Sequence, residues 1–311
     1  MGIDTERIAS LRSYEDRGLA IRETLVQPRV GGASTVGVLS TPLEGTPAGG
    51  WVICHSFGLE QVYLQSLEST VARRLAAVGF AVLRSHAQGY GDSELGAEHA
   101  TPGSQVRDAQ DAAAALVEAV GVTRVGFAGM RFGGSIAALA ADAFGAAGLV
   151  AVAPVVTGGG SIQAMARQAQ MAELSSGRDA GESPLDEFRS TGVLDLLGFP
   201  ISREAFEEVS ALDLVKQLER FRGDSLLVQV SRAPTPENAM AGLAEHLRGL
   251  GGTCDVEVLA DRAALRFGLP RYRRSEHGRK EDTQAGLSES IAAVVSAWCR
   301  DRQWQQAEVR S

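Results

Sequence analysis

The chain lacks the features that would place it in a membrane, in an oxidising compartment or on a nucleic acid. No stretch approaches roughly 18 uninterrupted apolar residues, so the sequence predicts no membrane span. Its three cysteines have no paired spacing, which favours reduced thiols over a disulfide framework. A formal net charge of −8 leaves no broad basic surface for nucleic acid.

Signals for targeting and for metal binding are also missing. The N-terminal sequence has no apolar run typical of a signal peptide, and no Cys/His spacing suggests a zinc site. We therefore expect a cytoplasmic protein with no metal and no other cofactor. Its expected partner is a small molecule, and a homodimer is left open.

Strand and helix patterns alternate along most of the chain. Trp51–Cys54 and Gly148–Val152 are short and fully apolar, as buried strands are, whereas Leu64, Leu67 and Val71 recur at helical spacing. Alternating strands and helices require crossover connections, which predict an α/β fold with a mostly parallel, doubly wound sheet.

This alternation stops at Pro154, and the break defines the predicted organisation. Residues 155–221 are more polar and strand-poor, and we interpret them as a helical lid inserted into the core; a separate domain is the alternative. The core then comprises residues 19–154 and 222–300. Residues 1–18 are predicted to form a helical extension, and residues 301–311 a flexible tail.

The segment Val125–Ala137 combines a buried strand, a glycine-bracketed turn and a small-residue helix. This pattern is typical of the nucleophile elbow G-x-S-x-G, in which a serine lies on a strained strand-to-helix turn. Here the frame is Gly129-Met130-Arg131-Phe132-Gly133, so arginine takes the serine position. A guanidinium cannot be deprotonated at working pH to attack a carbonyl.

The motifs occur in the order of the α/β-hydrolase fold. Cys54-His55-Ser56-Phe57-Gly58 follows the third strand, where that fold has its oxyanion loop, and Gly89-Tyr90-Gly91-Asp92-Ser93 resembles its G-x-G-x-S turn. The arginine-bearing elbow comes next. The resemblance implies an α/β-hydrolase fold with a helical lid, and it implies a reaction only weakly because this fold hosts many chemistries.

A narrower resemblance is to the exosortase-system-associated hydrolases, a serine-aminopeptidase-like branch. It covers about residues 20–300 and is carried by Phe57-Gly58-Leu59-Glu60, Gly91-Asp92-Ser93, the elbow and Pro154-Val155-Val156-Thr157-Gly158. The resemblance implies that part of this branch also carries arginine in the elbow. Ser85-His86 replaces the usual Phe-Asp before the G-x-G turn and departs from the branch.

The other two triad positions also lack a suitable residue. The acid is expected after Ser225–Val230, where only Glu237 could serve, but Glu237 better suits the first turn of the next helix. The histidine is expected after Asp255–Leu259, where there is none, and His277 lies further on in a charged segment. We therefore predict that the standard Ser-Asp-His triad is absent.

Arg131, Glu60 and His86 are the candidate catalytic residues. A cation at a helix N-terminus meets the positive end of the helix dipole, so Arg131 needs an anion. We expect Arg131 to be buried at the cleft floor and paired with Glu60, with Asp92 as the second choice. His86 replaces an aspartate near the cleft, and either a structural or a functional role is open.

The candidate binding residues are those of the predicted oxyanion loop and elbow, together with one residue of the G-x-G turn: Phe57, Phe132, His55, Ser56 and Asp92. The backbone N–H groups of Phe57 and Phe132 are the expected oxyanion donors, which a side-chain replacement does not remove. His55 is expected to brace neighbouring loops. Ser56 is an alternative, displaced nucleophile for which the sequence assigns no base.

Two functional hypotheses follow. In the first, the protein is non-hydrolytic, or catalyses by positioning and oxyanion donors, and it binds an acyl or anionic small molecule. In the second, it is an active esterase, thioesterase or peptidase-like hydrolase with a non-standard nucleophile. A basic cluster after the last strand is either a solvated face or attracts an anion: Arg262, Arg266, Arg271, Arg273, Arg274, Arg279 and Lys280.

Overall fold

A sheet of nine strands forms the centre of the protein in the computed structural model. The structure describes residues 12–175, 184–196, 198–260, 272–274, 280–282 and 285–302. The strands are β1 (Ser13–Asp16), β2 (Ile21–Val26), β3 (Arg29–Val30), β4 (Ala33–Ser34), β5 (Gly37–Pro42), β6 (Gly50–Cys54), β7 (Ala81–Ser85), β8 (Val125–Met130), β9 (Gly148–Val152), β10 (Val193–Asp195), β11 (Pro200–Ser202), β12 (Asp224–Ser231), β13 (Thr253–Ala260), β14 (Tyr272–Arg274) and β15 (Lys280–Asp282).

The order of the central sheet is β1-β2-β5-β7-β6-β8-β9-β12-β13. The six strands from β7 to β13 are mutually parallel, and β1, β2 and β5 add an antiparallel edge. Strands β6, β8 and β9 are buried along their whole length, which explains their continuous apolar sequences. The predicted, mostly parallel α/β sheet is confirmed.

Helices cover both faces of this sheet. They are α1 (Glu60–Ala77), α2 (Pro102–Val120), α3 (Phe132–Phe144), α4 (Gly159–Ser175), α5 (Pro184–Thr191), α6 (Arg203–Ala211), α7 (Leu214–Gln217), α8 (Asn238–Gly249) and α9 (Ala285–Asp301). Leu75 of α1 and Ile291 of α9 lie in the core on one face, whereas Leu116 of α2 and Leu243 of α8 lie in the core on the other. None of the described helices has the length and apolar character needed to cross a membrane.

The helical prediction is wrong at the start of the chain for residues 13–16, which form the edge strand β1 and pair with β2; residues 1–11 lie outside the described residues. At the other end α9 continues to Asp301, and Arg302 forms ion pairs with Asp224 and Asp255. Asp224 is the first residue of β12, and Asp255 lies near the start of β13. The two ion pairs therefore hold the end of the helix against the sheet. Residues 303–311 of the predicted tail lie outside the described residues.

The 155–221 segment, between β9 and β12, contains α4 to α7 and the small hairpin of β10 and β11. Its C-terminal half contributes more apolar side chains to the core than expected. Leu194, Ile201, Val209 and Phe221 are all buried in the main core. The apolar side chains are spaced too irregularly for a strand or helix pattern to reveal them.

Residues 156–158 and 212–214, near the two ends of this segment, lie side by side. The Leu214 N–H donates to the carbonyl of Val156, and the Gly158 N–H donates to that of Leu212. A Cβ on Gly158 would overlap with the carbonyl group of Val209, so the approach is possible only for glycine. One carboxylate, that of Asp142 in α3, accepts the N–H groups of residues 219, 220 and 221. These bonds fix the segment's C-terminal end to the core.

Candidate functional site

The turn between β8 and α3 has the backbone geometry of a nucleophile elbow. Arg131 lies at φ 54° and ψ −124°, a conformation that L-residues rarely adopt and that costs about 1–3 kcal/mol. A Cβ on Gly129 would overlap with the backbone of Gly133, and a Cβ on Gly133 would overlap with the carbonyl oxygen of Cys54. The two glycines therefore allow the strand, the helix and the neighbouring loop to pass at backbone distance.

Glu60, the first residue of α1, lies opposite Arg131. The Nε of Arg131 is 3.6 Å from Oε1 of Glu60, and a guanidinium nitrogen also donates to the carbonyl oxygen of Ala153 at 3.5 Å. Glu60 is buried, but the Arg131 side chain is 30% exposed and not buried as expected. Its length explains the difference, because the Nε beside Glu60 is buried while other atoms of the long side chain reach solvent.

The second oxygen of Glu60 accepts the backbone N–H that the sequence predicts as an oxyanion donor. The Phe132 N–H, the donor that follows the elbow residue, donates to Oε2 of Glu60 at 3.4 Å. The Ser56 hydroxyl donates to the same oxygen at 2.7 Å and accepts the Gly133 N–H at 3.3 Å. The Glu60 carboxylate thus lies among one guanidinium, one hydroxyl and one backbone donor.

His55 braces the loop before α1. Its Nδ1 donates to the carbonyl of Ser56 at 2.9 Å, and its Nε2 accepts the N–H of Ala87 at 3.0 Å. Burial lowers the pKa of His55 to about 4, so the ring is neutral at physiological pH. Both ring nitrogens serve the loops, which leaves neither for proton transfer at the elbow.

An aromatic cluster lies above the oxyanion loop. The Phe57 ring is 5.4 Å from that of Phe132, and the Tyr90 hydroxyl accepts the Gly58 N–H at 3.0 Å. Phe199, in the turn between β10 and β11, stacks on Tyr90 at 5.3 Å and contacts Phe57. The 155–221 segment therefore contacts the loop that carries the donors. No local sequence pattern predicts this role for Phe199, because its contacts are with residues far away along the chain.

His86 and Asp92 form a contact of their own, away from the Arg131–Glu60 pair. The Asp92 N–H donates to Nδ1 of His86 at 3.1 Å, and the Asp92 carboxylate is 74% exposed. Burial lowers the pKa of His86, and the Gly91 backbone lies directly against its ring. The expectation that Asp92 approaches the elbow is wrong, because the G-x-G turn directs its side chain to solvent.

The remaining triad positions can be located only in part. Glu237 is the exposed residue before α8, and His99 is exposed. His246 bonds to the carbonyl oxygen of Leu218. His277, residues 261–271 after β13 and most of the predicted basic cluster lie outside the described residues. In the part of the chain that the structure describes, no group of three His, Cys, Asp or Glu residues could hold a metal ion.

Comparisons with solved structures identify the fold. Est1E from Butyrivibrio proteoclasticus, solved with ferulic acid, superposes with a TM-score of 0.62 at 17% identity over 89% of this chain and 98% of that one. An esterase of Pyrococcus furiosus gives a TM-score of 0.60 at 12% identity, covering 93% and 94% of the two chains. The esterase domain of a Rhodothermus marinus protein gives 0.54 at 19% identity, covering 90% and 98%.

The protein has the α/β-hydrolase fold, as its sheet order, its elbow and these neighbours agree. No family model and no curated protein matches the sequence. At such low identities the likeness extends to the fold, and the chemistry has to be argued from this chain's own residues.

Proposed function

We propose that the protein is a non-hydrolytic α/β-hydrolase-fold protein that binds the carboxylate or acyl group of a small molecule at its elbow. The observation that carries the proposal is the Glu60 carboxylate, held by Arg131, Ser56 and the Phe132 N–H. Because these donors already hold an internal carboxylate, their arrangement also suits the carboxylate of a ligand. In an esterase the same backbone donor stabilises charge that develops on the substrate oxygen.

The ligand would exchange with Glu60. Arg131 is the partly exposed member of the pair, so a ligand carboxylate can reach its guanidinium from the solvent side. A ligand carboxylate that replaces Glu60 leaves the charge beside the donors unchanged. The free-energy cost of the exchange is that of displacing the Glu60 carboxylate. In this proposal the 155–221 segment acts as the lid, since Phe199 must leave Tyr90 to open the loop.

A working hydrolase that uses Ser56 is the second candidate. The observation in its favour is the 2.7 Å hydrogen bond from Ser56 to Glu60, because a carboxylate so placed could act as a base. Two features oppose it: Ser56 is completely buried, and its oxygen already accepts the Gly133 N–H. A nucleophile needs access to the carbonyl carbon, which burial denies to Ser56 in this conformation, and the Gly133 N–H occupies one of its two lone pairs.

Hydrolysis distinguishes the two candidates. We expect the wild-type protein to resist a serine-directed fluorophosphonate before and after heat treatment. We also expect Arg131→Ser to hydrolyse p-nitrophenyl acetate no faster than wild type, because the new hydroxyl has no positioned base. Labelling that Ser56→Ala abolishes would establish the second candidate. Turnover by Arg131→Ser orders of magnitude above wild type would show that a histidine or Glu60 serves the elbow as a base.

Binding tests the first candidate directly. Hexanoate added to the ¹⁵N-labelled protein should shift the amide resonances of Phe132 and Gly133, because the ligand replaces Glu60 as the acceptor beside them. Arg131→Gln should weaken hexanoate binding by about tenfold or more, the loss typical of a charge-assisted hydrogen bond. The matched control is Arg22→Gln, which removes an exposed arginine paired with Glu15 on the antiparallel edge. Equal affinities for the Arg131 variant and wild type would contradict the proposal.

A further inference from the structure

A second polar cavity lies on the other side of the oxyanion loop, between α1 and the ends of β5, β6 and β7. Its volume is about 270 Å³, close to the lower end of ligand pockets. Val36, Val38 and Ile53 supply apolar wall. Its polar lining comes from Glu68, Arg84, His86, Gln61, Gln65 and Ser69.

Two polar atoms of this lining are buried without a hydrogen-bond partner among the described residues. They are Oε1 of Glu68 and Nε of Arg84. Glu68 is only 4% exposed, and its carboxyl group accepts a hydrogen bond from the backbone of Ser56. Buried polar groups are almost always satisfied, and leaving one unpaired is costly. The two orphans belong to residues that line one cavity, which points to a ligand that bonds to both once their side chains rotate toward it.

We propose that this cavity binds the carboxylate of a small organic acid, with one ligand oxygen on Arg84 and the other on Glu68. The Arg84 Nε–H is a donor without an acceptor among the described residues, and a carboxylate oxygen is the acceptor that a guanidinium suits best. The apolar wall fits a short alkyl chain. The cavity is not lined by Arg131, Glu60 or Phe132. Ser56 lies between the two sites, because its backbone bonds to Glu68 while its hydroxyl bonds to Glu60.

The electrostatics of the cavity favour a monoanion. Burial raises the pKa of Glu68 to about 8, with the nearby Arg84 opposing the shift, so the carboxyl group is largely protonated at neutral pH. A protonated Glu68 donates its hydrogen to the ligand oxygen and adds no negative charge. Burial raises the pKa of Cys54 at the end of β6, and it lowers the pKa values of His55 and of His86. The remaining charged neighbours are Glu23 and Arg73, which pair with each other and act on Arg84 in opposite directions. Arg84 is thus the cation among the described residues of the lining. Its single positive charge would not balance a doubly charged phosphate.

Butyrate is a suitable probe, and the Arg131→Gln background keeps the elbow out of the measurement. In that background we expect calorimetry to detect butyrate binding. Adding Arg84→Gln should weaken it by about tenfold or more. Adding Arg74→Gln should not, because Arg74 lies on α1, as Glu68 does, but pairs with Glu289 at the surface. Propylamine, of similar size and opposite charge, should not bind.

The pH profile tests the role of Glu68. Butyrate affinity should fall as the pH rises through about 8, because Glu68 then loses the proton that it donates to the ligand and its negative charge repels the ligand. Glu68→Gln keeps a donor at every pH, so its profile should be flat there. Arg84→Lys retains the charge but removes the Nε–H donor, so it should also weaken butyrate binding and serves as the test if Arg84→Gln does not fold.

Either of two results would overturn this inference. One is the absence of butyrate binding in the folded Arg131→Gln protein, and the other is undiminished binding in its Arg84→Gln derivative. Both outcomes leave the elbow proposal standing, since that proposal is measured with hexanoate on the Phe132 and Gly133 resonances. Loss of the hexanoate response alone would remove the elbow proposal and leave the cavity intact.

Discussion

Gly133→Ala should yield little or no folded protein. The added Cβ would overlap with the carbonyl oxygen of Cys54, and its next neighbours are backbone atoms of His55 and Ser56. Backbone atoms of a fully buried strand and its adjoining loop cannot move aside as a flexible side chain can. We expect a loss of about 3 kcal/mol or more in the free energy of unfolding, a large fraction of a domain's stability. Urea denaturation followed by circular dichroism measures it.

Gly242→Ala is the matched control for this substitution. Gly242 lies in α8, and a Cβ added there would have nothing within 4 Å, so the same chemical change meets open space. Alanine is the better helix former, and a gain of about 0.5–1 kcal/mol is expected. If Gly133→Ala were as stable as Gly242→Ala, the start of α3 and the oxyanion loop could not be packed as described.

Glu60→Ala should destabilise the protein by about 2–4 kcal/mol, because it leaves the Arg131 guanidinium, the Ser56 hydroxyl and the Phe132 N–H without their shared acceptor. Arg131→Ala should cost less, since Glu60 retains two donors. The double variant should lose less than the sum of the two, with a coupling of about 0.5–3 kcal/mol. A denaturant-based double-mutant cycle gives this coupling.

The exposed pair of Arg22 and Glu15 supplies the reference cycle. Its members are 47% and 44% exposed, so its coupling should stay within about 0–1 kcal/mol. Additive losses at Arg131 and Glu60 would mean that the two side chains do not interact in solution. The internal carboxylate would then cease to support carboxylate binding at the elbow.

Local sequence patterns predict the parts of this fold that are stabilised locally. Gly148–Val152 matches β9 residue for residue, since a fully apolar run bounded by a glycine fits a strand buried on both faces. Leu25 shows the limit of the same reasoning. Leu25 shares a face of β2 with Ile21 and Glu23, which are both buried, yet it lies near the end of that strand and is 50% exposed.

The candidate site is less visible in the sequence because its residues depend on tertiary contacts. Glu60 can be anticipated, since it begins the helix after the oxyanion loop and faces the elbow. Glu68 cannot, because a glutamate further along the same helix looks like any solvated helix position. Its burial depends on β7, where Arg84 enters the same cavity. The prediction for Asp92 is wrong for a similar reason, since a turn type does not fix the direction of an exposed side chain.

The paired ends of the 155–221 segment limit how it can move. Since Val156 and Gly158 are bonded to Leu214 and Leu212, the chain enters and leaves through one narrow neck. The neck is not the segment's only attachment, because Leu194, Ile201 and Val209 are buried in the main core and the Gly103 N–H donates to the Glu208 carboxylate. A tilt of the whole segment would have to expose these side chains, whereas a movement of the hairpin turn that carries Phe199 would not. We therefore expect Phe199 to separate from Tyr90 by a movement of this turn, with the Asp142 anchor and the elbow undisturbed.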